Sequence, residues 1–348
     1  MKTIALVGCG RISKRHVQVV TQLPGLRLVA VCDLIEDLAR ETSQPLGIPY
    51  YTDALEMVTR EKPDIVSILT ESGTHPLVGS LLAPHVKVVV VEKPMALTLD
   101  DADQLVETCE AHGTRLFVVK QNRFNPAIQQ LRRAVDQNRF GKMVLGTVRV
   151  RWSREQDYYD QAPWRGTWKL DGGVFTNQAS HHIDLLQWLL GPVESVKSYI
   201  STRLVNIEAE DTGVAVLKFK SGALGVIEAT TATRPKDLEG SISILGEKGS
   251  VVVGGFSVNR MVTWSFTDPT PEDEAAQKAI TNPPNVYGFG HQPFYEDMLD
   301  CLASGRRSML DGLEGRKSLE IINALYESAA TGEEVHLRYV PQSVRLGR

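Results

Sequence analysis

Short uninterrupted apolar runs punctuate the first third of the chain, and each is followed by a segment whose apolar positions recur at helical spacing. Runs at 3–8, 26–33, 64–70, 86–91 and 115–119 predict strands, and the segments near 11–22, 35–43, 53–60, 75–83 and 99–112 predict helices. Apolar strands alternating with helices predict a parallel sheet covered on both faces, an α/β arrangement. After about residue 122 the texture changes. A helix at 126–137 ends in Asn138-Arg139-Phe140-Gly141-Lys142. Alternating strands follow at 143–153, 193–203, 212–219, 223–231, 240–245 and 249–253, with Ser221-Gly222 as a hairpin signal between two of them. They predict an antiparallel sheet, with helices at 178–190 and 292–304. A closing helix at 312–329 and a strand at 334–339 complete the second domain. The expected division is therefore 1–122 and 123–348. The segment 267–285, with Asp268-Pro269, Thr270-Pro271 and Asn282-Pro283-Pro284, reads as a long, partly mobile surface excursion.

A chain of 348 residues is long enough for two domains with their own cores. The net charge of −4 gives no electrostatic basis for binding nucleic acid, and no basic block suggests a membrane surface. No run of about 18 apolar residues is present to span a membrane. The N-terminus enters a strand at once, without a signal segment. Cys9, Cys32, Cys109 and Cys301 are scattered and form no Cys-x-x-Cys, so they read as reduced packing residues of a cytoplasmic protein. No metal site is expected.

The first strand runs directly into Gly8-Cys9-Gly10-Arg11-Ile12, and the second ends on Asp33. In a βαβ unit Gly8 permits the tight strand-to-helix turn, and Gly10 lets a pyrophosphate approach the backbone. The helix starting near Arg11 offers N–H groups and a positive dipole end. Asp33 suits both hydroxyls of an adenosine ribose and repels a 2′-phosphate, which points to NAD. Ser13 stands where a third glycine is usual. Thr70 through His75 follow the C-terminal end of the strand at 64–70, where open α/β sheets bind ligands, so Thr70 and His75 join the expected cofactor set.

Two further segments carry chemistry. In Val88-Val89-Val90-Val91-Glu92-Lys93-Pro94 a buried strand delivers Lys93 to the edge of the sheet beside the expected cofactor, with Glu92 adjacent. Partial desolvation there favours proton transfer by a lysine. In Gly172-Gly173-Val174-Phe175-Thr176-Asn177-Gln178-Ala179-Ser180-His181-His182-Ile183-Asp184 a glycine pair enters a helix, and Asn177 and His181 share one face. A histidine beside a lysine and a nicotinamide can act as general base. Asn285-Val286-Tyr287-Gly288-Phe289-Gly290-His291 is read either as a turn reaching the substrate cleft or as helix entry.

Together these residues resemble the Gfo/Idh/MocA family of nicotinamide-dependent sugar oxidoreductases over nearly the whole chain. The resemblance is carried by Gly8-x-Gly10-Arg11-Ile12, Glu92-Lys93-Pro94, Arg123-Phe124-Asn125-Pro126, Trp164-Arg165, Gly172-Gly173 and His181-x-x-Asp184. It implies a Rossmann domain followed by an α/β domain with a large open antiparallel sheet, and a homotetramer packed through that sheet. Lys93 matches the family's active-site lysine, usually followed by a cis-proline, and His181 matches its active-site histidine. Trp164-Arg165 resembles a segment that approaches cofactor or substrate. One departure is Asn177, where many members carry Asp; an amide cannot take a proton, so Asn177 can only orient substrate.

The segments 119–126 and 176–184 resemble one subgroup, the WlbA/WbpB-type UDP-N-acetyl-D-glucosaminuronate 3-dehydrogenases of bacterial surface-polysaccharide synthesis, including O-antigen. This implies NAD as cofactor, a UDP-sugar substrate bound by Lys93, Arg123, Asn177, Gln178 and His181, and a 2-oxo acid as a candidate cosubstrate. Two alternatives stand beside it: another sugar or inositol dehydrogenase of the family, and a non-catalytic NAD-binding sensor.

Overall fold

The computed structural model describes residues 1–281, 288–337 and 344–347. The chain forms two compact units, Met1–Lys120 with His291–Arg316, and Gln121–Gly290 with Lys317–Arg348.

The first unit is built on six strands: β1 (Lys2–Val7), β2 (Leu26–Cys32), β3 (Tyr50–Tyr51), β4 (Ile65–Ile68), β5 (Val88–Val91) and β6 (Arg115–Val118). They lie in the order β3-β2-β1-β4-β5-β6 with every pair parallel. All four residues of β4 and of β5 are buried, which explains why both read as continuous apolar runs. The strand order reverses between β1 and β4, and ligands of such sheets bind outside the carboxyl ends at that point. The helix His291–Ser304 returns to this unit, where its buried Tyr295 reaches His16 and Ser67 through its hydroxyl. The sequence reading counts that helix with the second domain; a late segment returning to an early sheet leaves no local mark in the pattern.

Among the described residues the second unit carries eight strands: β7 (Met143–Arg151), β8 (Val193–Ser201), β9 (Thr212–Phe219), β10 (Leu224–Thr230), β11 (Glu239–Gly246), β12 (Gly249–Gly254), β13 (Arg260–Phe266) and β14 (Val335–His336). Their order is β13-β12-β11-β7-β10-β9-β8-β14. The expected antiparallel sheet is in fact mixed, because β10 pairs with β7 in parallel. Alternation of period two marks a half-buried strand in either direction, so it is silent on this point. The Ser221-Gly222 turn does close the β9–β10 hairpin, with Gly222 at φ 86°. β13 is absent from the sequence reading, and the expected strand at 334–339 is reduced to Val335–His336, its last two residues lying outside the described ones.

The helix Ser180–Leu190 covers the buried face of this sheet. It approaches so closely at Gly146 that a Cβ there would lie 2.3 Å from Leu190 Cδ1. The expected loose excursion after residue 267 is tied down as far as it is described. It contains the short helix Asp273–Gln277, and Asp273 pairs with Arg139 and accepts a hydrogen bond from Trp264 Nε1 at 2.7 Å. Its continuation at 282–285 lies outside the described residues. All four cysteines are free and buried, and burial pushes the Cys9 thiol up to about 11 and Cys32 to about 12. Among the described residues no helix is long and apolar enough to cross a membrane.

Candidate active site

The turn after β1 is shaped by backbone crowding. Gly8 has φ +99°, and a Cβ on it would meet the Leu69 carbonyl at 2.7 Å, where the end of β4 passes. A Cβ on Gly10 would meet nothing within 4 Å, so the space beside this turn is open. Ser13 takes the place of a third glycine by burying its hydroxyl, which donates to the Gly10 carbonyl at 2.6 Å. The helix Ser13–Gln22 starts without a side-chain cap; its Ser13 N–H closes onto the Gly10 carbonyl at 3.2 Å and its Arg15 N–H onto the Ile12 carbonyl at 3.0 Å, which sets the positive end of the helix against the turn. Arg11 is exposed and Ile12 half-buried. At the end of β2 the half-buried Asp33 carboxylate is held by two backbone donors, Cys9 N–H at 2.7 Å and Ile35 N–H at 2.9 Å. An open glycine turn, helix N–H groups and a fixed carboxylate at the switch point match the demands of a dinucleotide's pyrophosphate and ribose.

Lys93 follows β5 and is half-buried, and its peptide bond to Pro94 is cis. The residues around it are braces of the protein interior. Glu92 accepts the Lys93 N–H through Oε2 at 2.9 Å, and its Oε1 lies 2.9 Å from His16 Nε2 and 3.6 Å from His291 Nε2. His16 Nδ1 is in turn 2.7 Å from the Tyr295 hydroxyl. Burial alone would push the Glu92 carboxyl up, but its hydrogen bond to His16 and the nearby His291 ring outweigh that and hold it well below the usual carboxylate range. The ligand atoms of His16, Glu92 and His291 lie within 4.8 Å of one another, but His16 is already hydrogen-bonded on both ring nitrogens and no metal need be invoked.

His75 is also buried, with Nδ1 2.8 Å from the Pro94 carbonyl and Nε2 3.0 Å from the Thr70 carbonyl. Burial pushes its pKa down. Glu92 and His75 were expected among the cofactor ligands. Their polar atoms are instead engaged within the unit, where they hold the Lys93-Pro94 turn and the end of β4. The Thr70 hydroxyl, half-buried, accepts from Thr74 at 2.8 Å.

In the second unit His181 is the second residue of its helix, and its Nε2 lies 2.9 Å from Gln121 Nε2. Gln121 opens the short 3-10 turn Gln121–Phe124. It belongs to the Gln121-Asn122-Arg123 run that the sequence singles out, but its neighbour in space is 60 residues away, beyond the reach of any local pattern. Asn177 donates through Nδ2 to Asp171 Oδ1 at 2.6 Å, and Asp171 Oδ2 accepts the Gly166 N–H at 2.9 Å. Gln178 is buried beside it in sequence. The glycine pair that precedes them is required: Gly172 has φ +78°, and a Cβ on Gly173 would lie 2.1 Å from Glu210 Oε2. Glu210 is itself buried, and burial pushes its carboxyl up to about 7.

His182, next to His181, is a core residue. It is buried edge-on to Trp152 with ring centroids 6.0 Å apart, and burial pushes its pKa down to about 4. Arg123, expected to meet the substrate, is likewise committed elsewhere. It is fully buried, forks onto Asp184 with two bonds of 2.8 Å, and lies over the Trp188 ring at 5.0 Å. It anchors the His181 helix in place of meeting a substrate carboxylate. Trp164 and Arg165 stay partly exposed; the Arg165 guanidinium lies over the Tyr158 and Trp164 rings at 4.5 and 4.8 Å and donates to the Tyr158 hydroxyl. Asn285, Val286 and Tyr287 lie outside the described residues.

Comparison with known proteins places the chain in a family. Residues 2–120 match the model of the Gfo/Idh/MocA oxidoreductase family's NAD-binding Rossmann fold, and residues 132–337 match its C-terminal alpha/beta domain. The crystal structure of the WlbA dehydrogenase from Bordetella pertussis, in complex with NADH and UDP-GlcNAcA, is similar with 43% identity and a TM-score of 0.90, covering 97% of this chain and 98% of that one. The WlbA dehydrogenase from Chromobacterium violaceum, in complex with the same two ligands, is also 43% identical, with a TM-score of 0.91 over 97% of this chain and 96% of that one. A D-apiose dehydrogenase from Paraburkholderia graminis is 27% identical, with 96% of this chain and 89% of that protein aligned. With one family model matched over residues 2–120 and the other over 132–337, the chain belongs to the Gfo/Idh/MocA family of NAD-dependent oxidoreductases.

Proposed function

We propose that this dehydrogenase oxidises the C3 hydroxyl of UDP-N-acetyl-D-glucosaminuronic acid to a 3-keto sugar nucleotide. The observation that carries the reading is the 43% identity over 97% of the chain to two WlbA dehydrogenases described with NADH and UDP-GlcNAcA. NAD bound in the first unit would supply the hydride acceptor. The Gly8–Ile12 turn takes the pyrophosphate, and Asp33 takes the ribose hydroxyls while repelling a 2′-phosphate. His181 accepts the hydroxyl proton, its ring oriented by the 2.9 Å contact with Gln121. Lys93 polarises the same hydroxyl and stabilises the negative charge that develops on its oxygen. Arg123 being committed to Asp184, Lys93 is the cation that suits the uronate carboxylate. Asn177 and Gln178 offer amides to sugar hydroxyls and the acetamido group.

The test is product identification. Incubation with NAD and the uronate should yield a sugar nucleotide that has lost two hydrogens, with the carbonyl at C3 by NMR. A carbonyl elsewhere, or no turnover of the uronate, overturns the reading. The same proposal sets the enzyme in the cytoplasm, at the start of amino-sugar assembly for a bacterial surface polysaccharide, with a 2-oxo acid as reoxidant for retained NADH. It also makes the enzyme a homotetramer. The outer face of the second sheet supports that: Tyr199, Val214, Val216 and Leu224 are 67, 45, 56 and 55% exposed, and register brings all four to one face.

A further inference from the structure

We propose that Asp171 is a positioning residue for the reaction, fixing the Asn177 amide in one orientation and tying it to the Trp164-Arg165-Gly166 turn. Asp171 is 2% exposed, and both of its oxygens accept hydrogen bonds, Oδ2 from Gly166 N–H at 2.9 Å and Oδ1 from Asn177 Nδ2 at 2.6 Å. A carboxylate facing a backbone N–H can only accept, so the amide must turn its NH2 toward Asp171. The amide oxygen is thereby directed away from Asp171, as an acceptor for a donor such as a sugar hydroxyl or an acetamido N–H.

Asn177 stands four residues before His181, in the turn that leads into the Ser180–Leu190 helix, and Asp171 reaches it from the turn before Gly172-Gly173. The two residues are a matched pair: Asp at 177 would set two carboxylates in contact, and like charges so close cannot both stay ionised. The inference rests on the His181 helix being the substrate-handling part of the enzyme, not on which sugar it handles.

Other titratable groups share this region. Glu210 and the Tyr159 phenol both lie in the field of Asp171, the Tyr326 hydroxyl bonds Glu210, and His181 is on the same helix. All are unchanged in the variants below, so the wild-type pH profile is the baseline.

The experiment compares Asn177→Asp, Asp171→Asn and the exchanged pair Asp171→Asn/Asn177→Asp. The first readout is the pH profile of kcat/KM with the sugar that the wild type oxidises. The second is thermal unfolding between pH 5 and 8, which needs no substrate. In Asn177→Asp, one carboxyl of the folded pair is held protonated, its pKa raised above the unfolded value. Its stabilising effect is therefore present at low pH and lost as pH rises. The variant should melt like wild type near pH 5 and lower near pH 8, with kcat/KM at pH 8 down roughly tenfold or more, one pKa unit being tenfold. Asp171→Asn should lose kcat/KM without acquiring the new pH dependence. The exchanged pair restores one carboxylate and one amide, and should recover both melting and kcat/KM. Superimposable pH dependence of wild type and Asn177→Asp in melting overturns the proposal, as does an exchanged pair no better than Asn177→Asp. If the wild type fails to oxidise the uronate, the substrate reading fails while the melting series still decides the pairing.

Discussion

Asp33 occupies the end of β2 with each carboxylate oxygen held by a backbone N–H, so its negative charge is fixed in place rather than swinging with the side chain. That geometry makes cofactor choice a property of one residue. Wild type should bind NAD far better than NADP, and Asp33→Ala should lose NAD affinity while the ratio narrows; equal affinities in the wild type, by fluorescence titration, would contradict it. At Lys93 and His181, alanine should each cost catalysis about a hundredfold or more, the scale of a lost acid–base group. His181→Ala should still bind NAD, since the cofactor turn belongs to the other unit. Single-turnover rates that stay near wild type would make either residue structural. The positions of the Gly8–Gly10 turn, Asp33 and Lys93 were legible in sequence because glycine turns and strand-end residues are local constraints. Arg123, Glu92 and His75 were not, because a buried polar side chain is defined by its partner: Asp184 lies 61 residues from Arg123, and Tyr295 lies 279 from His16.

The helix Ser180–Leu190 shows how one element separates two chemistries on adjacent residues. His181 meets Gln121, whereas His182 turns into the core against Trp152. A histidine whose folded pKa is depressed stabilises the protein above its unfolded pKa, and the contribution is lost as pH falls toward the folded value. With His182 held at about 4 against an ordinary 6.5, the folded state should lose about 1.5 kcal/mol between pH 6.5 and 5, since the unfolded ring is already half protonated at the upper value. Denaturant titrations at those two pH values should show that loss in wild type and a smaller one in His182→Phe. Identical losses would remove His182 as the source. The elements themselves were mostly legible, since periodicity reports burial. Strand direction was not: the parallel β7–β10 pair alternates just as its antiparallel neighbours do.

At the scale of the whole molecule, the second sheet buries one face and leaves outward a mixed one, where Tyr199, Val214, Val216 and Leu224 stand among Lys197, Lys218 and Glu228. Strand alternation makes the contrast sharp, Ala215 and Leu217 being buried while Val214 and Val216 between and beside them are exposed. Covering that face with a second copy is the proposed solution. Light scattering at micromolar concentration should give a tetramer for wild type and a smaller species for Val214→Lys/Val216→Lys, and a monomeric wild type would contradict it. The central claim is that this family scaffold handles a charged sugar nucleotide. Its most direct measurement is NADH absorbance on parallel incubation with UDP-N-acetylglucosaminuronate, UDP-N-acetylglucosamine and myo-inositol, each with and without 2-oxoglutarate. The account predicts turnover with the uronate in preference to the uncharged UDP-sugar and the polyol; turnover confined to inositol would contradict it.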